Sequence, residues 1–526
     1  MRLHALPIVL FFLAPVVGAA PPADSLVRYV DPFIGTGGHG HTYPGATLPF
    51  GMVQLSPDNG RSGWDWCSGY HYSDTGIVGF SHTHLSGTGC ADLGDVSCMP
   101  ITSSRNLDEA YRSPFSHHQE SAEPGYYRVR LLDHAILVEL TATERAGFHR
   151  YTFPRTDSAG IIIDLKRGQD DVAMHTVLNI VDSTLVTGCR FSNGWAADQR
   201  VFFAARFSEP ISAWAAGSGR AQEPGVRGAS GKDARGVFWF GKTPAGKQIL
   251  VKVGISSVSA DNALGNLEAE IKGWDFDAVR AAASASWERA LGRVRIESAD
   301  RERKQVFYTA LYHAFLAPTI FSDVNGQYRG ADGEIHTTAG VPYYSTYSLW
   351  DTYRAAHPLY TIVMPERVDG LMQGMLAFAH ESGYLPVWPL AANETNTMVG
   401  YHAVPPLADA WLKGFRGFDP SAALQVMEKS AYRDYAGLRF YRAERPEPLA
   451  KIMERQQRDV LGVDSYGGLS GKMYYGKAGY ARSVEGEKID YHSSHPGASR
   501  ALIVRAADGK KPIIWESASV PSAPHS

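Results

Sequence analysis

From about Leu26 to Leu264 the chain runs in short stretches of β-branched and aromatic residues broken by Gly, Pro, Asp and Ser, and near Asn266 that pattern gives way to helical spacing. This change of period limits what the chain can fold into. Runs such as YYRVRLLDHAILVEL (126–140), AGIIIDL (159–165), STLVTGCRFS (183–192), RVFFAARFS (200–208), GVFWFG (236–241) and QILVKVGISS (248–257) have strand length and turn-forming boundaries, and read as an antiparallel sandwich. Beyond Asn266, residues 276–294 and 299–318 carry alanine-rich helical spacing until Pro318 ends it, and segments 366–383, 405–414, 420–434 and 445–460 repeat it with Pro near starts and Gly after ends. The expected fold class is therefore α+β multidomain, an N-terminal antiparallel β-sandwich followed by a helical domain. Periodicity shows helices and not how they close on one another.

The first residues, MRLHALPIVLFFLAPVVGAA, combine a basic start at Arg2, an apolar run from Ala5 to Val17, and small residues at Val17 and Ala19 that suit a signal peptidase. Export with cleavage after Ala19, to the periplasm or the medium, is the expectation. A membrane anchor is the alternative, but the run is short and broken by Pro7 and Pro15, and no other stretch is long and apolar enough to span a bilayer. A net charge of −3 gives no footprint for nucleic acid or for an anionic membrane surface. Cys67, Cys90, Cys98 and Cys189 could pair in an oxidising compartment, in any of three complete arrangements. Their spacing lacks a C-x-x-C pair and argues against structural zinc.

Four blocks carry candidate chemistry. DPFIGTGGHGHTYPGATLPFG (31–51) contains a formal G-x-G-x-x-G at Gly35, Gly37 and Gly40, but Pro44, Gly45 and Pro49 forbid the helix a dinucleotide site needs. WDWCSGYHYSDTGIVGFSHTHLSGTGCADLGD (64–95) gathers Trp64, Trp66, His71, His82, His84, Asp92 and Asp95; His82 and His84, two apart, would share one side of a strand. Core histidines, or a zinc site, are the competing readings; the one His-Glu pair, His380-Glu381, has Tyr384 where a zinc motif needs its second histidine. YYSTYSLWDTYRAAHPLY (343–360) sets Trp350, Asp351 and Arg354 among tyrosines, a floor and a charged pair suited to a sugar, or else an internal Asp–Arg ion pair. ESGYLPVWPLAANETNTMVGYHAVPPLADAWLKG (381–414) puts Asn393 and Glu394 between Trp388 and His402. Glu394 could supply the proton of glycoside cleavage, or be a helix-start carboxylate capped by Asn393.

In order and wording these blocks, with YVDPFIGTGGHGHTYPGATLPFGMVQLSPD, GFSHTHLSGTG and FYTALYHAFLAPTIFSDVNGQYRG, resemble glycoside hydrolase family 92 from about Tyr29 to Glu487. The resemblance implies a calcium-dependent, inverting exo-alpha-mannosidase acting on terminal alpha-linked mannose, alpha-1,2 in the first place, of mannose-containing glycans, with the site shared between a sandwich and an (α/α)6 barrel. Glu394 would be the general acid. Asp351 would hold mannose hydroxyls, with Trp64, His82, His84, Trp350, Arg354 and His402 around the same pocket, and calcium would bind vicinal hydroxyls through oxygen ligands that the sequence does not identify. The expected layout is a signal peptide over 1–19, the sandwich over 20–265, linker helices over 266–298, a partial barrel over 299–487 and a divergent, poorly ordered tail over 488–526. Two departures stand out: Ala392, where many members have glycine, and the end, where KIDYHSSHPGASRALIVRAADGKKPIIWESASVPSAPHS lacks the segment expected to carry the general base, leaving the barrel incomplete. A mannose-binding pseudoenzyme or decayed gene product, and a zinc hydrolase built on the histidine loops, are the alternatives; oligomeric state is not set by the sequence.

Overall fold

The computed structural model describes residues 25–102, 111–219, 222–338, 340–398 and 400–431, together with the backbone of four strands between 478 and 518. The alternating runs form two antiparallel sheets. One has eight strands, ordered Ala46–Thr47, Gln54–Asp58, Gly79–Ser81, Ser97–Ile101, Thr156–Asp164, Arg235–Thr243, Ala213–Gly217 and Glu223–Pro224. The other has nine, ordered Gly228–Gly231, Val172–Ile180, Leu185–Asn193, Gln199–Phe207, Lys247–Ser256, Ala146–Phe153, Ile136–Ala142, Tyr126–Leu131 and Glu120–Glu123. The pleat sorts the side chains: along Tyr126–Leu131, Val129 and Leu131 are buried while Arg128 and Arg130 face water. The run expected over 126–140 is two strands, broken by a turn in which Ala135 takes a left-handed φ of 51°.

The helices are α1 (Ala260–Glu270), α2 (Phe276–Leu291), α3 (Arg301–Ala314), α4 (Leu349–Thr352), α5 (Ala356–Val363), α6 (Pro365–Ser382), α7 (Val404–Leu412) and α8 (Pro420–Ala431), of which α2, α3, α6, α7 and α8 fall where the spacing predicts them. Side-chain caps start the first three, with Ser259, Asp275 and Asp300 accepting from the first-turn N–H groups, and Gly383 at φ 89° ends α6. The change of pattern placed at Asn266 falls inside α1, which packs on the sandwich so closely that a Cβ at Gly254 would lie 2.1 Å from the Ala263 carbonyl oxygen. The helix expected over 445–460 lies outside the described residues.

Sandwich and helices share one core. Trp287 of α2, Tyr312 of α3 and Phe315 just after it are buried with Phe50, Val138 and Leu140, and polar groups close the junction: the Trp287 indole N–H donates to the Thr47 carbonyl at 2.7 Å, Phe50 N–H to the Phe315 carbonyl at 2.7 Å, and Ile320 N–H to the Phe50 carbonyl at 2.8 Å. Helix α6 buries Val368, Leu371, Met372, Met375 and Phe378 at helical spacing. The four cysteines are buried as free thiols, so the pairing their compartment would permit is not formed here. Towards the end of the sequence the backbone pairs Ala478–Arg482, Ile489–Ser493, Arg500–Val504 and Ile514–Ala518 in an antiparallel four-stranded sheet. The leader residues lie outside the described set, and no described helix is long and apolar enough to cross a membrane.

Candidate active site

Asn393 and Glu394 do not begin a helix. They form one arm of a two-residue hairpin paired with Pro389–Leu390, and the turn residues Ala391 and Ala392 both take left-handed φ, 47° and 66°. Such turns favour glycine or asparagine because a Cβ is crowded there. This explains why glycine suits position 392, and the helix-cap reading of Asn393 is corrected. Asn396 (50°) and Met398 (67°) continue the left-handed set, so strain clusters around Glu394 as it does at sites held by their surroundings. The Glu394 carboxyl accepts three backbone N–H groups: Val387 on Oε2 at 2.7 Å, and Trp388 and Asn396 on Oε1 at 2.9 and 2.8 Å.

Asp351 sits on the short helix α4 and reaches Glu394 through two residues. Ser348 Oγ–H donates to Asp351 Oδ2 at 2.5 Å, Ser348 Oγ accepts the Trp388 indole N–H at 2.9 Å, and the Trp388 backbone N–H is itself a donor to Glu394. Trp388, 2% exposed, buries the inner end of the link, whereas Asp351 at its outer end faces solvent. Arg354 does not pair with Asp351; its guanidinium lies over the rings of Trp350 (5.5 Å) and Tyr353 (5.1 Å). His402 stacks flat on Tyr353, centroids 4.4 Å apart and planes at 4°. Glu394, Asp351, Trp350, Arg354 and His402 thus fall on one connected surface of the helical domain.

The sandwich joins this surface through residues that sequence reasoning missed. The turn between Leu185–Asn193 and Gln199–Phe207 brings Trp195 against Trp388, centroids 4.9 Å apart. Asp198 and Asn393 exchange two hydrogen bonds, Asp198 N–H to Asn393 Oδ1 at 3.0 Å and Asn393 Nδ2–H to the Asp198 carbonyl at 3.1 Å. Beneath this turn Asp92 Oδ2 accepts Ala196 N–H at 2.8 Å, and a Cβ at Gly194 would come within 2.4 Å of Asp92 Oδ1. Burial, with Asp171 nearby, pushes the Asp92 carboxyl up to about 7. Next to it the fully buried Arg190 binds Asp171 through two hydrogen bonds (2.7 and 2.8 Å) and Asp95 at 2.8 Å. The visible signal for this turn was a lone tryptophan after Asn193-Gly194, which names no partner.

His82 and His84, expected to face the same way on one strand, are not on a strand. Both lie in the sandwich interior, just past Gly79–Ser81. His82 Nδ1–H donates to the Val96 carbonyl, which leaves Nε2 to accept from His149 Nε2–H at 3.0 Å, and His149 Nδ1 to accept from Tyr151. Burial holds His82 down to about 4, so this chain is neutral. His84 contacts the Gln54 carbonyl (2.7 Å) and Asp58 (2.9 Å). Trp64 stands 43% exposed, edge-on to His41 at 4.7 Å. His71 meets Ser73 and the Gly38 carbonyl, and no group of three or more His, Cys, Asp or Glu side chains among the described residues is arranged to hold a metal ion.

The profile of the glycosyl hydrolase family 92 N-terminal domain matches residues 29–256, and that of the family 92 catalytic domain matches residues 262–502. The chain belongs to glycosyl hydrolase family 92. A family 92 alpha-mannosidase of Bacteroides thetaiotaomicron is 37% identical, with a TM-score of 0.77 over 86% of this chain and 63% of that one. Its complex with mannoimidazole aligns at 34% identity, also with a TM-score of 0.77, over 94% of this chain and 66% of that one. A family 92 inverting mannosidase of the same organism aligns at 25% identity and a TM-score of 0.73, over 94% of this chain and 68% of that one. A secreted glycosidase of Arthroderma benhamiae is 26% identical over 64% of this chain and 46% of its own length. The chain therefore spans 46% of this curated relative and 63% of the first of these structures. The catalytic-domain match runs to residue 502, past the Glu487 limit read from the sequence blocks.

Proposed function

We propose that this family 92 chain is exported and acts on terminal alpha-linked mannose of glycans, with Glu394 as the general acid that protonates the leaving oxygen and Asp351 as the carboxylate that holds mannose hydroxyls. The observation that carries the proposal is the link through Trp388 and Ser348. One buried residue links both carboxyl groups, Trp388 reaching Asp351 through its indole and Ser348 and reaching Glu394 through its backbone N–H, so their separation does not depend on two independent loops. Trp350, Tyr353 and His402 offer flat faces beside them, suited to the C–H face of a sugar, and Arg354 offers donors to its hydroxyls. Support for mannose comes from the relatives described as alpha-mannosidases and from the mannoimidazole complex, support for inversion from the relative described as an inverting mannosidase, and support for export from the secreted relative.

Inversion needs a second carboxylate to activate water on the opposite face of the sugar. No described residue is assigned that role. His82 and His84, committed inside the sandwich, are left out of the proposed pocket. Calcium is implied by the resemblance, and among the described residues no group of three or more His, Cys, Asp or Glu side chains is arranged to hold it. A zinc hydrolase lacks a ligand set there for the same reason. The test is proton NMR of α-mannoside hydrolysis: the proposal expects β-mannose as the first-formed product. Mannose binding without release would favour the pseudoenzyme reading, and α-mannose formed first would refute inversion.

A further inference from the structure

The hairpin that carries Glu394 cannot hold its own shape. Its two turn residues and two of the residues after Glu394 are non-glycine and left-handed, conformations that persist only where the surroundings impose them. The Glu394 carboxyl is held by Val387, Trp388 and Asn396 N–H groups, so it goes wherever the Trp388 segment goes. Two of the restraints on that segment come from the sandwich turn at residues 194–198: the Trp195 ring on Trp388, and the paired hydrogen bonds between Asp198 and Asn393. The turn is itself anchored, by Asp92 under Ala196 N–H and by Arg329, whose Nη2 donates to the Asp198 carboxylate at 2.6 Å.

We propose that Trp195 is a positioning residue for the acid: it acts through Trp388 to set the place of Glu394, and the sandwich thereby contributes to protonation of the leaving group. This rests on the reading of Glu394 as the general acid. An indole suits the role because it fixes Trp388 by ring packing and brings no acceptor that would compete with Glu394 for the backbone N–H groups.

The test is calorimetric binding of two probes to the intact chain. Mannose samples the hydroxyl-binding groups, whereas a mannose-configured imidazole adds a ring nitrogen that takes a hydrogen bond from an acid placed beside the leaving oxygen. Trp195→Ala should cut imidazole affinity about 10-fold to 100-fold, the scale of a misplacement near 1 Å, while mannose affinity stays within about 2-fold and Trp195→Phe recovers most of the loss. Should the alanine variant melt early, Trp195→Leu, which keeps apolar volume without the ring, is read the same way. A Trp195 variant that keeps the wild-type ratio of imidazole to mannose affinity, in a protein where Glu394→Gln abolishes that ratio, overturns the inference alone. If Glu394→Gln keeps the ratio, the reading of Glu394 fails first and the inference falls with it.

Discussion

Replacing Glu394 by glutamine removes a carboxyl group and also changes what the hairpin can bind. The amide has one acceptor where the carboxyl has two. With its oxygen in the Oε1 position it keeps Trp388 and Asn396 N–H, and its NH₂ then meets Val387 N–H across the 2.7 Å separation, donor against donor. The reverse orientation keeps one bond and loses two, so the first is favoured. The loss is one hydrogen bond with Val387 N–H left unpaired, and folding stability should fall by about 1–3 kcal/mol. Catalysis is affected separately. If Glu394 delivers the proton, hydrolysis of methyl α-mannoside should fall about 10²–10⁴-fold, while a nitrophenyl α-mannoside, whose leaving group departs without help, should lose much less. The assay is kcat/KM on both substrates beside urea unfolding of both proteins. An equal fall on the two substrates, with the expected loss of stability, would show that Glu394 is only the clasp of the hairpin and would refute the acid assignment.

Three further outcomes follow from the same geometry. Ala392→Gly should raise stability by about 0.5–1 kcal/mol, because relief of the Cβ at φ 66° outweighs the entropy glycine adds to the unfolded chain; a lower urea midpoint would contradict the hairpin. Arg190→Met strips the partner from two buried carboxylates and should cost about 3–5 kcal/mol; a loss below about 1 kcal/mol would mean the triad is not closed as described. Asp92, raised to about 7 from an ordinary value of 3.8, binds its proton more tightly in the folded than in the unfolded state, so its contribution is complete at low pH and is lost as pH rises toward 7. Asp92→Asn, which keeps an acceptor for Ala196 N–H, should therefore gain on the wild type by on the order of 3 to 4 kcal/mol between pH 4 and 8 in urea unfolding. A pH-independent difference would remove Asp92 from the set of perturbed groups.

What is legible in the sequence is local. The change from alternation to helical spacing near Asn266 separates sandwich from helices because both periods are written in neighbouring residues, and only the boundary slipped, since α1 packs on the sheet before the pattern turns. Pro44 and Pro49 excluded a dinucleotide loop, and the block around Trp350, Asp351 and Arg354 and the pair Asn393-Glu394 drew attention to the surface where the structure places them together. The tertiary structure alone decided which residues share that surface. His82 and His84 belong to the interior because sheet order sets them against His149 and Asp58, a choice no two-residue spacing encodes. Trp195 and Asp198 belong beside Glu394 because a sandwich turn meets a hairpin 195 positions further along the chain. Alternation fixes which way a side chain points from its own strand, but the partner it meets depends on how the sheets and helices close over the shared core, and that closure is a property of the whole chain.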